Sequence, residues 1–255
     1  MQDNPLVRMQ NVSRRFTLGE TTLDAVKNVS LDIHKGEFLA VWGPSGSGKS
    51  TLMNMLGLID APTSGTVYFE DQNTRELSDN KLTEFRGNKI GFVFQNFNLV
   101  PVLSALENVM LPLHIQGVSE AEARARAETA LADVGLSQFA KSRPDHMSGG
   151  QRQRVAIARA LAVQPQLVIA DEPTANLDSE NSLMVVELMR EMNRTKGVTF
   201  IFTTHDQRLL DHVDRKILLR DGVIESDDSI RRAPAQTERK KVINETTVEK
   251  DEVLS

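Results

Sequence analysis

The chain has 255 residues, 40% of them hydrophobic, 25% charged and 5% aromatic, which is long enough to bury a core and ordinary for a globular protein. A net charge of −5 argues against a protein that works by covering phosphate backbones, and the absence of cysteine excludes a disulfide framework and a cysteine-ligated metal. The N-terminal MQDNPLVRMQ lacks a basic segment followed by an apolar one, and no run approaches the roughly 18 apolar residues of a membrane span, so neither a signal peptide nor a spanning helix is expected.

Along the chain, LVRMQNVSRRF and AVKNVSLDI predict short strands with partial alternation, and EFLAVWG is a nearly continuous apolar run ending in glycine. A Gly/Ser-rich loop leads into a helix over 49–58, and GTVYFE and IGFVFQ predict further strands. From 105 to about 143 the pattern is helical, centred on SEAEARARAETALADV. LVIADE and VTFIFTTH predict buried strands separated by a helix over 181–194, and KILLRDGVIE a closing hairpin that turns at Asp221-Gly222. After Glu225 the periodicity stops. The expected folded domain is therefore 1–225, and 226–255, charged and poor in bulky apolar residues, is expected to be a mobile tail.

The strongest chemical signal is GPSGSGKST: Gly43, Pro44, Ser45, Gly46, Ser47, Gly48, Lys49, Ser50 and Thr51. It follows a strand and opens a helix, the context a phosphate loop requires. Glycines at 43, 46 and 48 let the backbone wrap closely round a polyphosphate with its N–H groups inward, and the helix N-terminus adds partial positive charge. Lys49 is placed to reach the β- and γ-phosphates and the Ser50 hydroxyl to ligate Mg²⁺. LVIADE then ends an apolar strand in two carboxylates, at the edge where open α/β sheets bind ligands. Taken alone, acidic residues at a strand end are as readily a cap or a turn. Beside the phosphate loop, Asp171 reads as a Mg²⁺ ligand and Glu172 as the general base that polarises water. These two motifs fit any P-loop nucleotide hydrolase.

The choice narrows at MSGGQRQRVAIARAL, where Ser148, Gly149, Gly150 and Gln151 open a helix with a second anion-binding N-terminus. Here the chain resembles the ABC ATPase superfamily, whose signature is LSGGQ, with methionine for the first leucine. The resemblance implies an α/β fold with a mixed, largely parallel central sheet, an antiparallel layer from the N-terminal strands, and a helical subdomain near 96–160. It implies that the signature of one chain contacts the γ-phosphate held by another, so that a homodimer sandwiches two ATP head to tail. Gln95 resembles the glutamine that touches Mg²⁺ and the attacking water, and His205 the switch histidine that contacts the γ-phosphate and orients Glu172. Asp178, in ANLD, matches the loop that couples the two sites. Phe16 matches the aromatic that stacks on adenine, where the family more often has tyrosine; a core position is its other reading. Trp42 stands where a small aliphatic residue is usual, and packing rather than contact with adenine is expected of it.

The resemblance covers residues 6–225. LGLIDAPTSGTVYF, IGFVFQNFNLVPVLSALENVMLPL and DEPTANLDSENS look like the ATPase subunits of the lipoprotein-release and macrolide-export branch. It implies ATP hydrolysis on the cytoplasmic face of the inner membrane, driving a separate permease whose coupling helix seats near Leu99, Val100, Pro101 and Leu103. A cell-envelope regulator of the cell-division type, signalling through a permease-like partner without cargo, is the alternative. A nucleic-acid-directed relative is disfavoured, because only 53 positions separate Gln95 from Ser148 and the net charge is negative.

Overall fold

The computed structural model describes residues 4–19 and 21–229. Its strands form two sheets. β1 (Val7–Leu18), β2 (Thr21–Ile33), β4 (Ser64–Phe69) and the short β5 (Gln72–Asn73) make an antiparallel sheet in the order β2-β1-β4-β5. β3 (Phe38–Trp42), β6 (Ile90–Phe94), β7 (Leu167–Asp171), β8 (Thr199–Thr204), β9 (Arg215–Arg220) and β10 (Val223–Ser229) make the central sheet, ordered β10-β9-β3-β8-β7-β6. All neighbours in it run parallel except β10, which returns antiparallel to β9.

Parallel strands covered on both faces read as continuous apolar runs rather than alternating ones, and β3, β7 and β8 carry such runs. Their side chains still alternate between faces. Phe38 and Ala40 join the core beneath helices α3 (Ala105–Ile115), α4 (Glu120–Asp133), α5 (Gly149–Ala162) and α6 (Ser179–Lys196), whereas Leu39 and Val41 join a second core on the opposite face. That second core contains Leu52, Met53, Met55 and Leu56 of α1 (Lys49–Leu56) together with Val7, Met9 and Phe69 of the antiparallel sheet. The glycine-rich loop thus opens a helix clamped between two sheets. At about 1.5–3 kcal/mol for each large apolar side chain fully buried, this clamp fixes the helix far more firmly than its eight residues could alone. The expected mixed sheet, antiparallel layer and helical region are all present.

Two elements differ from the sequence expectation. Helix α2 (Asp79–Lys89) carries no fully buried residue and turns only Leu82 and Phe85 toward the core, too short an apolar stripe for the helix to announce itself. The closing hairpin also continues past Glu225: β10 runs to Ser229, with Ser226, Asp227, Asp228 and Ser229 paired to β9. The boundary placed after residue 225 therefore cuts a strand. An edge strand can be polar and charged, which is why the apolar signal stops before the strand does. Residues 230–255, the remainder of the expected tail, lie outside the described residues. Among the described residues no helix is long and apolar enough to cross a membrane.

The extension is anchored by Asp227, which accepts from Arg215 Nε at 2.7 Å and from Nη2 at 2.6 Å. Arg215 is 13% exposed and also reaches Glu37. The Asp227 carboxylate raises the arginine's pKa further above its usual value, the largest influence on it. Asp227→Ala should destabilise the fold by about 1–2 kcal/mol, a charge-assisted pair discounted for a partly exposed carboxylate, and lower Tm by roughly 2–6 °C. A chain ending after Ser226 should melt below one ending after Ser229; equal melting temperatures would remove the anchor.

Candidate nucleotide site

Register assembles the site. Trp42 pairs with Thr204 and Phe94 with Asp171, while Ala170 pairs with Phe202, all in parallel. Gly43, His205, Glu172 and Gln95 consequently leave neighbouring strands at the same edge of the sheet, the C-terminal edge where such sheets bind ligands. A cavity of about 620 Å³ opens there, lined by Ser45, Gly46, Gly48, Lys49, Ser50 and Thr51 of the loop and by Phe16 and Glu172.

The loop takes its shape from glycine. Gly48 has φ 100, and a Cβ there would stand 2.2 Å from the Ala25 carbonyl oxygen; Gly43 has φ 151, and its Cβ would stand 2.0 Å from the Leu219 carbonyl oxygen. Only glycine permits both the backbone and the approach. Gly222 N–H donates to the Ser47 carbonyl at 3.0 Å, tying the loop to the β9–β10 turn. The helices α3, α4, α5 and α6 are each capped by a serine or aspartate side chain, but α1 has no side-chain cap and no acid in its first turn. Its leading amides are left for an anion. Lys49, 6% exposed, donates to the carbonyls of Gly43 and Pro44, both at 3.0 Å. These bonds satisfy a buried ammonium that would otherwise be costly, and hold it where a phosphate can take it over. The Ser47 hydroxyl, also buried, has no partner.

Glu172 adopts φ 44, a left-handed conformation that is strained for a residue with a side chain. Its carboxylate lies 3.6 Å from His205 Nδ1, an ion-pair approach rather than a hydrogen bond. Thr203 Oγ1 sits 2.7 Å from both the Glu172 amide and Asp171 Oδ1. Gln95 is exposed, and its carbonyl accepts from Asn176 Nδ2 at 3.0 Å. Phe16 lines the cavity while the Arg14 guanidinium lies 4.8 Å from its ring centroid. Trp42 packs against the helical core, with its buried indole nitrogen unpartnered, and does not line the cavity.

Ser148 caps α5 in a reciprocal capping box, its Oγ accepting from Gln151 N–H and its own N–H donating to Gln151 Oε1. The polar signature is the cap itself. A Cβ on Gly150 would stand 2.7 Å from Asn181 Oδ1, so α5 presses against the start of α6. Asp178 caps α6: Asn181 donates to it from both its backbone and its side chain, holding the Asp178 carboxyl below its usual range. Residues 148–151 and 178 do not line the cavity of their own chain. Leu99 packs on the helical core, and Asn108 clamps the segment after it through the carbonyls of Val100, Leu103 and Ser104.

Several lining residues carried no signal in the sequence. Asp24, Ala25 and Lys27 of β2 and the Asp221-Gly222 turn complete the cavity. Only the turn was foreseen, and for its shape alone.

A parallel sheet whose β3–α1 turn is a glycine cradle, faced by an Asp-Glu pair on the next strand but one, defines a P-loop nucleotide hydrolase. Residues 26–175 match the ABC transporter family, and the chain belongs to it; it is an ABC-type ATPase. An uncharacterized ABC transporter ATP-binding protein of Methanocaldococcus jannaschii is 45% identical over 230 residues, 89% of this chain and 98% of its own length. The lipoprotein-releasing system ATP-binding protein LolD of Geobacter metallireducens is 43% identical over 222 residues, 87% of this chain and 99% of its own. The macrolide export ATP-binding/permease protein MacB of Syntrophobacter fumaroxidans is 46% identical over 222 residues, which amount to 31% of that longer protein. Two solved dimeric structures of the M. jannaschii cassette, one a post-hydrolysis state bound to ADP and Pi, match with a TM-score of 0.81 at 44% identity, covering 89% of this chain and all of theirs.

Gly48→Ala should destabilise the fold by at least ~1–3 kcal/mol, because φ 100 is strained for alanine and the added methyl meets strand backbone. Urea unfolding measures it. A stability equal to the wild type would mean that the loop and β2 are not in contact.

Proposed function

We propose that two copies of this chain close head to tail around two ATP molecules, hydrolyse them, and so work a separate permease from the cytoplasmic face of the inner membrane. One observation carries the reading. Ser148 opens a capped helix at an exposed position, yet none of residues 148–151 lines the cavity that contains Lys49 and Glu172. An exposed helix start of the signature type with no nucleotide cavity beside it in its own chain is accounted for by a two-fold partner. The dimeric structures of the M. jannaschii cassette support the arrangement.

In the closed site, Phe16 stacks on adenine, and Lys49 with the amides of 45–51 takes the phosphates. Ser50, Asp171 and Gln95 would hold Mg²⁺, which when bound neutralises charge on the β- and γ-phosphates. These donors are all oxygens, as a hard cation prefers, and among the described residues no cluster of three or more His, Cys, Asp or Glu could hold a metal alone. Glu172 accepts a proton from the attacking water while His205 orients its carboxylate, and water and ATP become ADP and phosphate. Asp178, capping α6 against the signature, couples the two sites. The permease seats in a groove of about 410 Å³ lined by Phe92, Phe94, Pro112, Ile115 and Arg159, beside the expected contact segment, although none of Leu99, Val100, Pro101 and Leu103 lines it. Ile115 is 80% exposed, and so is 69% of Val102 on the adjoining segment. The likeness to LolD and MacB supports lipoprotein release or export as the work done.

Glu172→Gln should retain ATP, accumulate as a dimer on size exclusion, and slow turnover by roughly 10²–10⁴, the worth of a positioned general base. Normal turnover in that variant would assign the water to another residue.

Ser148→Arg tests the sandwich. Its own phosphate loop is intact, so the isolated monomer should bind ATP while hydrolysis collapses. Lys49→Ala should bind or turn over ATP poorly for the opposite reason. Mixing the two gives dimers with one doubly defective site and one intact site, and part of the activity should return. Trapped nucleotide, measured alongside turnover, reports the intact site even where the two sites are strictly coupled. Wild-type hydrolysis by monomeric Ser148→Arg would end the head-to-tail reading.

A further inference from the structure

Thr203 lies within β8, fully buried at 0% exposure, among Phe200, Ile201 and Phe202. Packing alone asks for no hydroxyl there. The parallel register that sets Ala170 beside Phe202 sets Asp171 beside Thr203, and Thr203 Oγ1 meets Asp171 Oδ1 and the Glu172 amide nitrogen, each at 2.7 Å.

A hydroxyl has one proton and two acceptor lone pairs. The Glu172 amide can only donate, so it occupies a lone pair. The hydroxyl proton remains to be donated, and Asp171 Oδ1 accepts it. One buried side chain thus orients the Asp171 carboxyl. It also pins the amide of Glu172, whose backbone is held at φ 44.

We propose that Thr203 is a positioning residue for hydrolysis: through one hydroxyl it sets the metal-facing Asp171 and the base Glu172 relative to each other. The proposal rests on the nucleotide-site reading above. The two carboxylates lie on successive residues, and β-strand geometry sends successive side chains to opposite faces. At its left-handed turn Glu172 lines the cavity, which Asp171 does not, and Thr203 is bonded to both residues at that turn.

The test compares full-length Thr203→Val, which keeps the branched shape and removes the hydroxyl, with Thr203→Ser, which keeps the hydroxyl and removes the methyl. Thr203→Val should lower kcat by about 10–100-fold, the usual effect of removing a partner behind a metal ligand or catalytic group, with KM for ATP nearly unchanged. Thr203→Ser should restore most of it. Placed on Glu172→Gln, which holds ATP without rapid turnover, Thr203→Val should also weaken Mn²⁺ binding in the presence of ATP, read by electron paramagnetic resonance. Wild-type kcat in Thr203→Val, or a serine variant as slow as the valine one, would overturn the proposal, the latter by assigning the role to the methyl. Unchanged Mn²⁺ affinity would overturn the Asp171 arm. Glu172→Gln assayed in parallel separates the two readings: full turnover there defeats the site itself, whereas collapse there with an unaffected Thr203→Val defeats only the role of Thr203.

Discussion

The rest of the molecule depends on the parallel register of β3, β8, β7 and β6. Parallel strands end at one edge, and neighbouring strands stand about 4.8 Å apart, so residues that follow four different strands are delivered to a line spanning roughly three such spacings. Gly43, His205, Glu172 and Gln95 are those residues. A slip of one residue in any pair would turn its side chains to the other face, and the separate cores on the two faces of the sheet forbid it. Core packing therefore fixes the chemistry at a distance. Phe38 and Ala40 cannot exchange faces with Leu39 and Val41 without emptying one core and crowding the other.

Two connected bodies meet at that edge. One is α1 held between the sheets, with the glycine loop at its start and Gly222 bonded to Ser47. The other is the helical side, where hydrogen bonds link the Gln95 loop to the signature helix. Arg159 of α5 donates to the carbonyls of Phe97 and Asn98, at 2.8 and 2.5 Å. Asn176, two residues before Asp178, donates to the Gln95 carbonyl. Gly150 has no room for a side chain against Asn181. The Gln95 loop, α5 and the start of α6 are thus joined by direct contacts. The apolar groove beside Phe92 and Ile115 borders the same Arg159.

Polar groups at the edge are poised rather than idle. Lys49 keeps its buried ammonium satisfied on the carbonyls of Gly43 and Pro44. Glu172 is different. Its strained φ of 44 persists because Thr203 and the flanking strands over-determine it, the circumstance in which strain is found at working sites.

What could be read along the chain was local. The strand, glycine loop and helix expected over 38–58, the apolar run ending in Asp171 and Glu172, the helix opening at Ser148 and the Asp221-Gly222 turn each obey rules that span a few residues. All are found in place, the first helix ending at Leu56, whereas the capping box that Ser148 forms with Gln151 was not read from the sequence. Helix α2 and the polar end of β10 were not legible, because one turns only Leu82 and Phe85 toward the core and the other is an edge strand held by Arg215 through Asp227. Nor could the sequence show that Asp24, Lys27 and Gly222 border the loop, or that Thr203 bridges Asp171 and Glu172 from about thirty residues away. Local backbone preference and apolar periodicity decided which groups of the site exist. Which of them touch was decided by sheet register and the packing of two cores, since those contacts join residues that no rule of sequence spacing relates.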